Sequence, residues 1–171
     1  MLRLKDIGVK LENVTSPILS LKDFVPADYP ELISWFPTPS DLRLFAGAPV
    51  DWPLTIAKLA ARADARGSEA FTAILGDPEI AVGHVEMIRE TAEQVRFGRI
   101  AIAPSMRGRG LIAQLLECAN DRARAAGFRS VSLLVIPENV SALRAYSRAG
   151  FVDTGPSRAY PDYTRMLLQI Q

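Results

Sequence analysis

Residues 95–151 read VRFGRIAIAPSMRGRGLIAQLLECANDRARAAGFRSVSLLVIPENVSALRAYSRAGF. An apolar strand around Ile100-Ala101-Ile102 runs into a basic glycine turn, Arg107-Gly108-Arg109-Gly110, and an amphipathic helix follows from Leu111 to Ala126. Val131 to Ile136 is a continuous apolar run, the mark of a strand buried on both faces. A short helix over Val140–Ala149 closes the unit, with Gly150 as its stop. Strand, helix and strand in that order imply a local parallel pair. The turn carries the chemistry. A glycine-relieved backbone that opens a helix presents free N–H groups and the positive end of the helix dipole. Two arginines beside it add fixed charge that pairs bidentately with phosphate. The turn reads as a seat for a pyrophosphate.

Upstream the period is different. Glu69–Leu75 and Ile80–Ile88 read as strands joined by the tight turn Gly76-Asp77-Pro78-Glu79, and a second turn leads into the strand Val95–Ala103. Three strands on short turns make an antiparallel meander. Before it, Leu54–Arg66 reads as a helix stopped by Gly67, and Ala27–Phe36 as a short helix with Pro30 in its first turn. The proline-dense segment between them, PTPSDLRLFAGAPVDWP, reads as an irregular connection or single helical turns. Pro17–Phe24 is a candidate first strand, and Phe151–Thr154 and Tyr163–Ile170 are final strands. Residues 1–15 alternate charged and apolar side chains, as an extra strand or loosely attached arm would, and 16–171 reads as one domain. The expected architecture is α+β with a mixed sheet.

The composition narrows the classes of function. With 171 residues, 49% of them hydrophobic, the chain has the apolar material for one ordinary core. A net charge of +1 gives no reason to expect nucleic acid or an anionic membrane as partner. One cysteine, Cys118, excludes an internal disulfide, and one histidine, His84, argues against a His/Cys zinc site, so no metal is expected. No stretch approaches the roughly 18–20 apolar residues of a membrane span. A soluble, cytoplasmic protein is the expectation.

The order of elements and the residues at their junctions resemble the GCN5-related N-acetyltransferase (GNAT) superfamily. Two motifs carry the resemblance. The family's acyl-CoA loop, Gln/Arg-x-x-Gly-x-Gly/Ala, falls on Arg107, Gly108, Arg109, Gly110, Leu111 and Ile112, with Ala113 next. The family's closing helix falls on Asn139-x-x-Ala142-x-x-x-Tyr146-x-x-x-Gly150-Phe151. Ile112 departs from the pattern, because the family has Gly or Ala there and an isoleucine side chain must point away from a bound diphosphate. The resemblance implies the GNAT fold, with a splayed parallel pair at the acyl-CoA site. It implies acetyl-CoA as co-substrate and transfer of its acetyl group by direct attack of a primary amine, on a small molecule or peptide.

It also assigns residues. Ile100, Ala101 and Ile102 would receive the pantetheine arm through their main chain. Tyr146 would be the general acid that protonates the departing thiolate, with aromatic packing as its alternative. Asn139 would contact the cofactor or serve equally as a helix N-cap. No family glutamate stands at Leu133-Leu134-Val135. His84 and Glu86 share one face of their strand, so Glu86, or water held by it, is the candidate general base; a solvent-facing polar stripe is the alternative. Arg144 and Arg148 either meet the nucleotide 3′-phosphate or form a solvated face. Trp35, Phe36, Phe45 and Trp52, with Asp41 and Asp51, fall in the segment that forms part of the family's acceptor cleft, with core packing as the plainer reading. A homodimer is possible, with contacts expected at 1–15 and the last strand. The rival functions are a non-catalytic acyl-CoA-binding protein of the same fold and a nucleotide-binding protein, the latter lacking any G-x-G-x-x-G after the first strand or Gly-Lys-Ser/Thr.

Overall fold

The computed structural model describes residues 18–46 and 52–171. Seven strands form one sheet: β1 (Ser20–Asp23), β2 (Glu69–Leu75), β3 (Ile80–Arg89), β4 (Gln94–Ile102), β5 (Ser130–Val135), β6 (Val152–Pro156) and β7 (Thr164–Gln169). Their order across the sheet is β1-β2-β3-β4-β5-β7-β6, and among the described residues only β4 and β5 run parallel. The helices are α1 (Tyr29–Ser34), α2 (Pro39–Ala46), α3 (Ile56–Arg66), α4 (Leu111–Ala125) and α5 (Val140–Arg148). The mixed α+β sheet with an antiparallel meander is therefore as the sequence predicts. The arm at 1–15 and Asp51 lie outside the described residues.

Two apolar clusters hold the sheet between them. One joins α4, through Leu111, Leu115, Leu116, Ala119 and Ala123, to Phe71, Val85, Met87, Phe97 and Val131. The other joins Leu32 of α1, Leu42 and Phe45 of α2 and Leu59 of α3 to Ala101 and Ala103. Neighbouring residues of a strand point to opposite faces. Ile100 and Ile102 pack on the first cluster and Ala101 and Ala103 belong to the second, so the clusters lie on opposite sides of the sheet.

The segment read as an irregular connection contains α2, a helix of two turns. Its prolines do not prevent it, because Pro39 stands at the helix start, where its missing N–H is no loss. Leu42 and Phe45, three residues apart, give it one buried face. Thr38 precedes it, and its Oγ1 accepts from the Asp41 amide at 3.2 Å. α3 likewise opens on Thr55, whose Oγ1 accepts from Lys58 N at 3.3 Å, and ends on Gly67 at φ 57°.

Two irregularities interrupt β4. It pairs with β5 only from Gln94↔Ser130 to Phe97↔Leu133, and beyond Phe97 the two strands part. Against β3, Glu86 faces Gly98 while His84 faces Ala101, so two steps on β3 match three on β4. The extra residue makes a bulge at Arg99–Ile100, with Arg99 at φ 45°. The bulge also switches the alternation: Val95 and Phe97 pack on the same cluster as Ile100 and Ile102.

Candidate active site

A cleft of about 480 Å³ opens where β4 and β5 part. One wall is the end of β4, Gly98 to Ile102, and the other is Leu133 to Ile136. β5 pairs with β7 along its whole length, on the side away from β4, and among the described residues the facing edge of β4 has no strand partner beyond Phe97. Its N–H and C=O groups are there for an extended ligand to pair with, as an added strand would.

The glycine turn closes one end. Arg107, Gly108, Gly110, Leu111 and Ile112 line the cleft. Gly108 and Gly110 both stand at φ 74°, a conformation that an L side chain resists, and no heavy atom lies within 4 Å of where their Cβ atoms would be. The space a side chain would fill is left open to a ligand. Gly110 is the N-cap of α4 and no side chain caps that end, so the helix start at Leu111 and Ile112, with the positive end of its dipole, faces the cleft. Arg107 Nε donates to the Ile102 carbonyl at 3.1 Å, which ties its guanidinium to the end of β4. Ile112 is partly buried and packs its side chain against the α4 core cluster, so the departure from glycine does not fill the turn. These features fit a diphosphate.

Not every residue of the sequence motif reaches the cleft. Arg109 is exposed, its Nη2 donating to the Ser105 carbonyl at 3.4 Å, and it does not line the cleft. Ala113 is also outside it, and its amide already donates to the Gly110 carbonyl at 3.1 Å. Arg144 and Arg148 are exposed on α5 and line nothing there.

α5 supplies the opposite wall through Ala142, Ala145 and Tyr146. Asn139 lines the cleft and is also the helix cap, its Oδ1 accepting from Ala142 N at 3.2 Å and from Ser141 Oγ at 3.1 Å. Tyr146 is 7% exposed, with its ring 6.1 Å from that of Phe151. Burial raises the phenol well above its ordinary pKa, so it stands in the cleft as a neutral O–H donor. Cys118, half-buried on α4, donates its S–H to the Leu19 carbonyl at 3.2 Å, and burial raises its thiol too; it faces no part of the cleft.

His84 and Glu86 do share a face of β3, but not a solvated one. They are 2% and 3% exposed; the Phe24 ring packs edge-on against His84 at 4.9 Å, and the ring of Phe45 on α2 lies 6.1 Å from it. Glu86 Oε1 accepts from Arg99 Nη1 at 2.6 Å, and His84 Nε2 lies 3.8 Å from the same oxygen. Arg99 lines the cleft and Glu86 does not. Arg99 thus stands between Glu86 and the cleft, and the carboxylate holds the bulge from behind.

The cleft is also lined by Phe36, by Asp41, Arg43 and Phe45 of α2, and by the tyrosines 160 and 163. Phe36 and Phe45 stack at 4.0 Å. Trp35 is buried away from the cleft, donating Nε1–H to Glu31 at 3.1 Å, and Trp52 is 44% exposed. The sequence reading missed the bulge at Arg99 and the arginine at 96, which also lines this region.

Known structures share this fold. A spermidine N-acetyltransferase from Vibrio cholerae, solved with CoA and spermine, superposes with a TM-score of 0.72 at 20% identity, covering 90% of this chain and 96% of its own. A domain from Methanocaldococcus jannaschii gives 0.76 at 14% identity, covering 90% and 99%. An AAC(6′)-Ib structure with paromomycin and acetyl-CoA gives 0.73 at 18% identity, covering 88% and 93%. At these identities the likeness is one of fold. The acetyltransferase (GNAT) family model, however, matches residues 31–151, well over half of the sequence, and with the parted strands and glycine turn it shows that this chain belongs to the GNAT acetyltransferase family.

Proposed function

We propose that the protein is an N-acetyltransferase that moves the acetyl group of acetyl-CoA to a primary amine, on a small molecule or peptide, within a ternary complex. The observation that carries this reading is the cleft between β4 and β5, with an uncapped glycine-turned helix start at one end and a neutral buried phenol in its wall. In this reading Ile100, Ala101 and Ile102 take the pantetheine arm by main-chain pairing. Arg107, Gly108, Gly110, Leu111 and Ile112 hold the pyrophosphate, with Arg109 and Ala113 flanking, and Asn139 borders the arm. A main-chain N–H at the bulge stabilises the oxyanion as the carbonyl is attacked. The C–N bond forms, the C–S bond breaks, Tyr146 protonates the departing sulfur, and the amine proton leaves to water. Glu86 acts as a positioning residue, through Arg99.

Support for the donor comes from fold relatives solved with CoA and acetyl-CoA. The test is thermal stabilisation by acetyl-CoA, CoA, NAD and ATP, followed by thiol release across an amine panel. Stabilisation by acetyl-CoA and CoA with amine-dependent thiol release is expected. Stabilisation by ATP or NAD alone ends the proposal, and donor binding without release for any amine assigns a non-catalytic acyl-CoA-binding protein.

A further inference from the structure

The charged side chains lining the cleft, among the described residues, are Asp41, Arg43, Arg96, Arg99 and Arg107: one acid against four cations. Three of the arginines have carboxylate partners, Glu138, Glu90 and Glu86, and none of these carboxylates lines the cleft. The wall therefore shows more guanidinium groups than carboxylates to the interior, with Asp41 as the one acid among the described lining residues. Arg107 belongs to the phosphate end. Arg96 and Arg99 stand on β4 on either side of the point where it parts from β5, so a polycationic amine entering there would meet like charge.

Arg96 is built to do more than repel. Its Nε donates to Glu90 Oε1 at 3.0 Å. Glu90 is itself fixed, its Oε2 accepting from the buried Ser132 hydroxyl at 2.7 Å and lying 3.5 Å from Arg165 Nη2. The Arg96 side chain is 16% exposed, so its position is held by packing as well as by charge. Engagement through Nε leaves both terminal amino groups of the fork without a hydrogen-bond partner among the described residues. One of them, Nη1, sits 3.9 Å from where a side chain on Gly98 would begin. Gly98 is the first β4 residue beyond the last β4–β5 pair, so the free end of the fork lies where the two strands part. Two parallel N–H donors on a guanidinium match a carboxylate in geometry and charge. Arg96 and the bulge at Arg99 are three residues apart, roughly 10 Å of strand, within the span of a small molecule carrying both an amine and a carboxylate.

We infer that the acceptor is a primary amine that also carries a carboxylate, held by the terminal amino groups of Arg96, and not a polyamine or aminoglycoside. The inference rests on the acetyl-transfer reading and names its substrate class. Amino acids and short acidic peptides share this chemistry and form the two arms of the test. Each is offered to the protein with acetyl-CoA, once with its carboxyl groups free and once as the carboxamide, beside spermidine and an aminoglycoside, with thiol release as the readout. Free carboxyl compounds are preferred over their amides by at least about tenfold in kcat/KM, the worth of a charge-assisted hydrogen bond. The preference lies in KM, collapses toward unity in Arg96→Gln, and is partly restored in Arg96→Lys, while acetyl-CoA still stabilises both variants. Carboxyl and amide forms turned over equally, or a preference that survives Arg96→Gln in a variant still stabilised by acetyl-CoA, overturns the inference. So does faster turnover of spermidine or the aminoglycoside, which leaves acetyl transfer itself standing. Thiol release with no amine at all overturns both.

Discussion

Glu86 and Arg99 meet across β3 and β4 at 2.6 Å, both buried, at the place where β4 holds one residue more than its partner. The ion pair and the bulge support each other. A non-glycine residue at φ 45° is strained, and the carboxylate beneath it holds the guanidinium that the strained backbone carries.

Glu86→Gln tests which job the carboxylate does. The amide keeps an oxygen for Arg99 but strands a buried positive charge, so the variant loses about 2–3 kcal/mol of stability. Turnover falls as the bulge loosens, while the shape of the pH–rate profile stays that of the parent, since Glu86 does not line the cleft. Melting curves and a pH–rate profile check this. Disappearance of the acid limb in the variant would return Glu86 to the role of general base.

Tyr146→Phe removes the proposed proton donor and almost nothing else. General acids contribute about 10²–10⁴ in rate, so kcat falls by about 10² or more while the Kd for acetyl-CoA hardly moves. Stopped thiol-release assays and calorimetry separate the two. The same phenol leaves a mark on stability. Its pKa is raised in the folded state from an ordinary value of 10.0, so the stability it contributes is fully present below pH 10. It is lost as pH rises further, because the unfolded chain ionises first, at up to about 1.4 kcal/mol per pH unit. Alkaline unfolding of Tyr146→Phe is shallower than that of the parent by this amount.

Ile112 and Gly110 stand two residues apart in the turn, and their variants differ in acetyl-CoA affinity while losing similar stability. Ile112 packs on the core, so Ile112→Ala costs about 2 kcal/mol, at the low end for an aliphatic truncation because the side chain is only partly buried. Acetyl-CoA affinity is unchanged. Gly110→Ala meets no neighbouring atom, so its cost is conformational, about 1–2 kcal/mol at φ 74°. Yet its methyl group occupies the open side of the turn, and acetyl-CoA binding weakens. Melting temperature and Kd, measured on both variants, move independently.

The frame of the site was legible because it is local. The strand at 100–102, the turn at 107–110 and the helix from 111 are consecutive, and each carries its own signature. The environment of Glu86 was not. Period-2 alternation says which residues share a face, not which face another element covers, and the cover over neighbouring His84 comes from Phe24 and from Phe45 of α2, a helix hidden in a run rich in proline. The bulge did leave a trace: apolar residues at 95 and 97, then at 100 and 102, a step of three where a plain strand keeps two. Arg96 left none, because its importance comes from Glu90 and Ser132, which belong to a turn and a strand 6 and 36 positions away.

Gly83 shows how tightly the cleft is tied to the core. It stands on β3 with an ordinary backbone conformation, so a substitution there tests space and not strain. A Cβ at Gly83 would lie 2.7 Å from Leu115 Cδ1 on α4, 3.0 Å from the Ala101 carbonyl oxygen and 3.2 Å from Ala73 Cβ. The leucine tip can move; the carbonyl belongs to β4, and shifting it moves the strand that lines the cleft. Gly83→Ala therefore costs about 1–3 kcal/mol by overpacking. Because Ala101 and Ile102 pair with His84 and Gly83, the same displacement weakens acetyl-CoA binding although Gly83 itself does not line the cleft. Leu115→Ala in the same chain removes the movable obstacle and leaves the carbonyl. If the double variant regained donor affinity in full, the clash with Leu115 would be the whole effect; the geometry of Ala101 predicts that part of the loss persists.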